Sequence, residues 1–459
     1  MNQDTIIARS TPPGKSAIAL VRLSGNDVLA VIKSHFSPLD SNKIKTRYAY
    51  FGQLTDRDGM AIDEVVLIYF RGPGSYTGED VIEISCHGSD YVVQRIIESL
   101  IDSGARPAGP GEFTLRAFLN GKLDLAQAEG VIDLIESENK AQHQLAIQQV
   151  RGGFSRRISE LREKLIHFAS LIELELDFGE EDVEFAKRDE LKELVVETNA
   201  FIEKLVNSFS MGNAVKTGIS TVIAGRPNAG KSTLLNALLE EERAIVSNIE
   251  GTTRDTIEEV IHLGGLAFRL IDTAGIREAG DVIEEMGIKK TMEKIHQSAI
   301  LLYIFDMSAM QPSEVLRDVN SVKKEGLQIF IIGNKSDKVD DSIMKEFEKE
   351  ISPHHSFFSL SALRNDGTEI LINALENSFI GLDEIRGDNI LHNSRHFNAL
   401  TKTKNALDKV IFGLEEGIPS DLVAMDIRHG MQALGEILGD EITTEDLLGK
   451  IFSRFCIGK

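Results

Sequence analysis

The stretch Gly225-Arg226-Pro227-Asn228-Ala229-Gly230-Lys231-Ser232-Thr233 decides how this chain is read. An apolar run, Ile219 to Ala224, precedes it, and Leu234, Leu235, Ala237 and Leu238 follow at helical spacing. Strand, glycine loop and helix in that order are the setting of a phosphate-binding loop. The backbone N–H groups of such a loop and the N-terminus of its helix point at phosphate oxygens. Asn228, Ala229, Gly230 and Thr233 would then line a polyphosphate. Lys231 would neutralise its charge, and the Ser232 hydroxyl would ligate Mg²⁺. The loop pattern requires no particular residue at Asn228, yet its amide carbonyl can ligate a cation.

Four more signals follow in order. Gly251-Thr252-Thr253-Arg254-Asp255 reads as a loop in which Thr253 would complete the Mg²⁺ shell when a γ-phosphate is present. Asp272-Thr273-Ala274-Gly275 follows the predicted strand Phe268 to Ile271. There Asp272 would hold Mg²⁺ through water, and the Gly275 N–H would sense the γ-phosphate. Asn334-Lys335-Ser336-Asp337 follows the predicted strand Gln328 to Ile332. The Asp337 carboxylate can accept from both the N1 and N2 hydrogens of guanine, a donor pair adenine lacks. Ser361-Ala362, after Phe357-Phe358, would back the base, with Leu363 where many relatives of this pattern have lysine. Together the five signals predict a GTP-binding, Ras-like G domain.

Ras-like switches place a glutamine directly after the Asp-x-x-Gly signal to orient water. Here that position is Ile276. Hydrolysis therefore needs another orienting group and another positive charge. Asn228, backbone carbonyls and the Thr252 hydroxyl could hold a monovalent cation in the place of an arginine finger. Intracellular abundance favours potassium. The orienting group should be a carboxylate after Gly275, with Glu278, Asp281, Glu284 and Glu285 as candidates.

A chain of 459 residues has room for about three domains. Its net charge of −22 argues against non-specific grip on nucleic acid without excluding a local basic patch. Two cysteines, Cys86 and Cys456, imply no disulfide framework. The start, Met1-Asn2-Gln3-Asp4, has no signal-sequence character, and the apolar runs are of strand length, so a soluble cytoplasmic protein is expected. Residues 1 to about 120 read as mixed α/β, with strands at 16–23, 65–70 and 81–84 and a helix at 92–101. Helical periodicity then runs to about Val215, with Leu161, Leu165, Phe168, Ile172 and Leu176 on one apolar face. Asp177 to Phe185 reads as a solvated acidic loop. Strand and helix alternate from Thr217 to about Glu376, the pattern of a parallel sheet. Periodicity returns from Ile390 to Phe455. One helical domain with an α/β unit inserted is the economical reading.

Further stretches carry a family resemblance. They are Thr11-Pro12-Pro13-Gly14, Tyr76-Thr77-Gly78-Glu79-Asp80, Arg106-Pro107 through Gly111-Glu112-Phe113, Arg116-Ala117-Phe118-Leu119-Asn120, Lys122 through Glu129, and Phe455-Cys456-Ile457-Gly458-Lys459. Across essentially the whole chain they resemble the MnmE (TrmE) family of tRNA modification GTPases. The nucleotide signals alone would also suit ribosome-assembly GTPases such as Era or EngA, and these flanking stretches discriminate. The resemblance implies an N-terminal folate-binding and dimerising α+β domain (1–120). It also implies a helical domain in two parts (121–216 and 379–459) around an inserted doubly wound G domain (217–378). It implies a homodimer with potassium-dependent GTP hydrolysis on G-domain approach, and an FAD-dependent partner subunit, MnmG (GidA). The pair would install an aminomethyl or carboxymethylaminomethyl group on C5 of the wobble uridine of certain tRNAs, the carbon coming from 5-formyl- or methylene-tetrahydrofolate.

By the same resemblance, potassium falls to Asn228 and to a separate cation loop, through the backbone carbonyls of Ser247 and Ile249 and through Thr252, the loop also including Asn248, Glu250 and Gly251. Mg²⁺ falls to Ser232 and Thr253, and Glu284 is the water-orienting carboxylate. The folate contacts fall on Arg22, Glu79, Lys122 and Lys459. Cys456 is read as a small packed residue, since no histidine motif stands near to activate it. His87 is read as structural, with no zinc pattern around Cys86. A ribosome-assembly role would call for a basic RNA-binding element, which is not seen. A slow switch awaiting an external activator fits Ile276 but not Asn228 and the flanking domains.

Overall fold

The computed structural model describes residues 4–37, 44–177, 188–240, 258–263, 265–272, 294–296, 298–324, 326–353, 355–378, 390–440, 445–453, 455 and 457–458. Its strands are β1 (Thr5–Arg9), β2 (Ser16–Ser24), β3 (Phe36–Ser37), β4 (Ala49–Thr55), β5 (Ala61–Phe70), β6 (Val81–Gly88), β7 (Ala105–Pro107), β8 (Ile219–Ala224), β9 (Glu258–Leu263), β10 (Leu266–Asp272), β11 (Ile300–Asp306), β12 (Gln328–Asn334) and β13 (Ser356–Ser359). Its helices are α1 (Val28–Lys33), α2 (Asp90–Asp102), α3 (Glu112–Leu119), α4 (Leu125–Ile135), α5 (Lys140–Val150), α6 (Gly153–Asp177), α7 (Arg188–Thr217), α8 (Lys231–Glu240), α9 (Pro312–Val322), α10 (Asp341–Ile351), α11 (Thr368–Ser378), α12 (Ser394–Glu416), α13 (Ser420–Leu438) and α14 (Glu445–Phe452). Two compact units result, one of Met1–Ile135, Gln148–Glu193 and Asn405–Lys459, the other of Glu136–Ile147 and Leu194–Lys404.

In the first unit, the described strands order as β3-β4-β5-β6-β2-β1-β7, antiparallel except for β1 beside β7. One face is apolar: Val21, Leu23, Val65, Leu67, Ile82 and Ile84 pack against Val93, Ile96 and Leu100 of α2. On the other face, Phe113 of α3 covers Ile6 and Ala8 at the β1 end. The rest of that face is only partly covered. Across it run the registers Ala49, Ile68, Glu83, Arg22 and Phe51, Val66, Ser85, Leu20, and none of the eight is buried. The strands expected at 16–23, 65–70 and 81–84 are present and longer than expected. β1 went unread because Ile6, Ile7 and Ala8 are all buried, which erases the alternation of a half-exposed strand. In the helical part, Leu161, Leu165 and Ile172 of α6 are buried, as expected. Phe168, counted on the same face, is only half-buried, and the neighbouring Ala169 is buried instead. The Leu176 side chain and the acidic stretch beyond Asp177 lie outside the described residues.

In the second unit, the described strands order as β13-β12-β11-β8-β10-β9. The expected parallel sheet needs one correction. β9 runs antiparallel to β10. Only two positions separate Leu263 from Leu266, and a parallel crossover takes a dozen or more residues. Both faces are covered. Ile223, Leu302, Ile304 and Ile332 pack with Leu234 and Leu238 of α8 and Leu371 of α11. Val222, Leu301, Phe305 and Ile331 pack with Val315 of α9 and Phe347 of α10. Burial on both faces explains the uninterrupted apolar runs of these strands. Among the described residues, no helix is long and apolar enough to cross a membrane.

Candidate functional site

The ends of β8, β11, β12 and β13 of the second unit meet at one end of its sheet. The loop 225–230 joins the last residue of β8 to the first of α8. Two of its glycines are forced by close approach. A Cβ on Gly225 would lie 1.9 Å from the Ile304 carbonyl oxygen of β11, and one on Gly230 would lie 2.2 Å from Asn334 Nδ2. The first obstacle is backbone in the middle of a sheet and cannot give way. Gly225→Ala should therefore destabilise this unit by about 3 kcal/mol, read as a lower urea midpoint. An unchanged midpoint would contradict the close approach.

Asn228 is exposed and sits at φ 61°, in the left-handed region where asparagine is favoured among non-glycine residues. It thus has a backbone reason to be asparagine beside any ligand role. Lys231 Nζ donates to the Gly225 carbonyl at 2.5 Å and to the Arg226 carbonyl at 3.1 Å, so it lies over the loop it would serve. Ser232 stands exposed in the first turn of α8, and Thr233 is half-buried beside it.

After β12, Asn334 is 3% exposed and bonds on both sides. Its Nδ2 donates to the Ala229 carbonyl at 2.8 Å, and its Oδ1 accepts from the Ala362 N–H at 3.0 Å. Lys335, itself at φ 62°, donates to the Asn228 carbonyl at 2.8 Å and to Asp306 at 2.6 Å. Ser361 donates its hydroxyl to Asp337 Oδ1 at 2.8 Å, and that bond holds the Asp337 carboxyl below the usual carboxylate range. Leu363 is 80% exposed, so its aliphatic chain stands out from the protein surface. The structure therefore brings together Asn228, Ala229, Gly230, Lys231, Asn334, Lys335, Asp337, Ser361 and Ala362. Asp272 ends β10, its side chain outside the described residues. Ser247, Asn248, Ile249, Glu250, Gly251, Thr252, Thr253, Thr273, Ala274, Gly275 and Glu284 also lie outside them.

A second cluster gathers in the first unit around the segment 71–80. The Arg22 guanidinium is held by Glu83 Oε1 at 3.0 and 2.7 Å and lies 5.5 Å from the Tyr76 ring centroid and 5.7 Å from that of Phe113. Glu79 accepts from the Ser24 hydroxyl at 2.7 Å and from Arg116 at 3.0 Å. Lys122 donates to the Pro73 carbonyl at 2.9 Å. Arg22, Glu79 and Lys122 thus converge on one segment. Lys459 lies outside the described residues, but its neighbour Gly458 accepts from the Ser10 hydroxyl at 3.1 Å, and Ile457 bridges to Pro110. Ser24, Glu83 and Arg116 hold these side chains, and the sequence alone assigns none of them a site role. Their partners are 55, 61 and 37 positions away, and no local spacing encodes such pairs. Cys86 is buried, which pushes its thiol up to about 11 and leaves it inert. His87 is exposed and paired with Asp63 at 2.7 Å. Cys456 lies outside the described residues.

A doubly wound sheet with a glycine loop after β8 and the Asn334-Lys335-Ser336-Asp337 loop after β12 defines a G domain of the P-loop GTPase class. The MnmE helical domain family matches residues 125–456, and the family described as GTP-binding protein TrmE N-terminus matches residues 5–122. The tRNA modification GTPase MnmE of Cytophaga hutchinsonii is 49% identical over 458 residues, covering 99% of this chain and 98% of the relative. That of Flavobacterium johnsoniae is 49% identical over 468 residues, covering 100% of each. The structure of Era from Aquifex aeolicus matches 41% of this chain and 66% of its own at 22% identity, with a TM-score of 0.28. The chain belongs to the MnmE (TrmE) family of tRNA modification GTPases.

Proposed function

We propose that this chain hydrolyses GTP in the service of tRNA modification. The observation that carries the reading is the double bond set of Asn334, to the Ala229 carbonyl and from the Ala362 N–H. It ties a phosphate loop to a guanine-reading loop and to the segment that backs the base. Such a site binds a guanine nucleotide as one object. The full-length similarity to relatives named tRNA modification GTPase MnmE supports the wider role.

The finer reading has several parts. Ser232, at the head of α8, would hold Mg²⁺ with Thr253, and the ion would spread the charge of the β- and γ-phosphates. Asn228, Ser247, Ile249 and Thr252 would hold potassium, which supplies positive charge beside the transferring phosphoryl group. Glu284 would orient the attacking water. The domain division is 1–120, 121–216 with 379–459, and 217–378. The first domain would pair two copies of the chain, and the partly covered sheet face, with Phe51 68% and Ile18 64% exposed, supports pairing. It would also take a tetrahydrofolate one-carbon donor. Arg22, Glu79, Lys122 and Lys459 would supply its contacts, a carboxylate suiting the pterin ring and a cation the glutamyl carboxylates. With MnmG, an FAD-dependent partner, the chain would add (carboxymethyl)aminomethyl to C5 of the wobble uridine in the cytoplasm.

Deleting the gene and analysing bulk tRNA nucleosides tests the role. The C5-modified wobble uridine should disappear, and normal modification would sink the reading. Glu284→Ala should keep GTP affinity and lose turnover by about a hundredfold or more, the range of a lost acid–base or orienting group. Unchanged turnover would move the orienting role to another residue.

A further inference from the structure

Arg226 is the second residue of the phosphate loop, and neither the phosphate-loop pattern nor the resemblance assigns it a task. Its backbone shapes the loop. The Arg226 carbonyl accepts from the Ala229 N–H at 3.3 Å and from Lys231 Nζ at 3.1 Å. Its side chain leaves the loop altogether. Nε and Nη2 donate to the two oxygens of Asp318 at 2.9 and 3.3 Å, and Nη1 donates to Glu314 Oε1 at 3.1 Å. Both carboxylates sit on α9 and are themselves held. Glu314 Oε2 accepts from the Gln311 N–H at 3.0 Å, which caps α9. Asp318 Oδ2 accepts from the Tyr303 hydroxyl at 2.7 Å. Tyr303 lies on β11 opposite Ala224, the residue just before the loop.

The guanidinium is therefore gripped by two carboxylates fixed to a helix and to the adjacent strand. Burial alone would raise Asp318, but the bonds from Arg226 and Tyr303 outweigh it and keep the carboxyl below its usual range. Planar two-point pairing of this kind adds orientation as well as attraction. The same residue thus has a fixed side chain and a carbonyl that accepts from Lys231 Nζ.

We infer that Asp318, Glu314 and Tyr303 are positioning residues that hold the phosphate loop, through Arg226, in the shape that receives the polyphosphate. The inference rests on the guanine-nucleotide reading of the site. Its sign separates it from a charge effect. Neutralising two carboxylates near a polyanion should tighten binding by Coulomb's law alone. Releasing a positioned loop should weaken it.

The test uses the full chain with Mg²⁺ and a fluorescent GDP analogue. Glu314→Gln with Asp318→Asn should weaken binding by about fivefold, mainly through faster release, the upper range for exposed ion pairs. Tyr303→Phe, which keeps every charge, should weaken it by about twofold. Arg226→Met, which also removes a positive charge, should weaken binding at least as much as the double variant, and combining all three changes should weaken it no more than Arg226→Met alone, as expected for one shared interaction. The thermal midpoint without nucleotide should not move. Unchanged or tighter binding, additive losses, or a fallen midpoint with unchanged affinity would each overturn the inference. Wild-type protein that fails to bind the analogue would instead remove the guanine-nucleotide reading and this inference with it.

Discussion

Asp337→Asn should lower affinity for GDP and GTP by roughly a thousandfold and raise affinity for xanthosine nucleotides. Guanine offers two parallel donors, N1–H and the exocyclic N2–H, and on the proposed reading the Asp337 carboxylate would be the matching pair of acceptors. An asparagine keeps one acceptor and turns an N–H₂ donor toward a donor. One charge-assisted bond is then lost, and a second position becomes repulsive. Xanthine carries an oxygen in place of the amino group and would accept from the new amide. The fold should be spared, because the remaining carbonyl can still accept from Ser361, whose bond to Asp337 measures 2.8 Å. The direction of pH dependence follows from the same contact. Ser361 holds Asp337 below the usual carboxylate range, so the carboxylate persists as pH falls through that range. Guanine affinity should be lost only at still lower pH. Titration with GDP and XDP checks the swap, and equal GDP affinity in the variant would remove Asp337 from base recognition.

On the proposed reading, exchanging potassium for sodium should slow GTP hydrolysis about a hundredfold or more, because the bound cation would supply the charge that an arginine finger supplies elsewhere. Asn228 is the described residue on which the effect turns, and its backbone complicates the obvious variant. At φ 61° an alanine would add about 1 kcal/mol of strain to whatever the lost amide costs. Asn228→Gly is the cleaner change. It keeps the left-handed turn without strain, leaves the carbonyl that accepts from Lys335 at 2.8 Å, and removes only the amide. The glycine variant should hydrolyse GTP slowly and equally in both salts while binding GDP normally. A glycine variant that still prefers potassium would end the amide's claim to the ion.

How much of this was legible from residues alone depends on the range of each interaction. The phosphate loop was readable because its physics is local: an apolar strand, glycines where side chains cannot fit, and a helix start. The loops after β12 and β13 were readable for the same reason, while the one after β10 lies outside the described residues. β9 was not, because its direction is set by the two-position gap to β10 and not by its own pattern. Phe168 and Ala169 show the limit of periodicity, which places a stripe but not the residue that ends up covered. The side chains that hold Arg22, Glu79 and Arg226 come from 37 to 92 positions away, and pattern carries no information at that distance. Asn228 was read for its amide alone, while the left-handed turn it occupies became visible only in three dimensions.

Asn334 has a consequence for selection in a crowded cell. By bonding at once to the Ala229 carbonyl and the Ala362 N–H, it bolts two recognition surfaces into one frame of fixed length. A ligand that seats its base delivers its phosphates to the loop at a high effective concentration, of order millimolar or above. Guanosine alone, or pyrophosphate alone, forgoes that gain and should bind feebly. On the proposed reading the frame would work as a gauge that measures the span between the two ends of a nucleotide, and free polyphosphates and nucleosides would pass without occupying it.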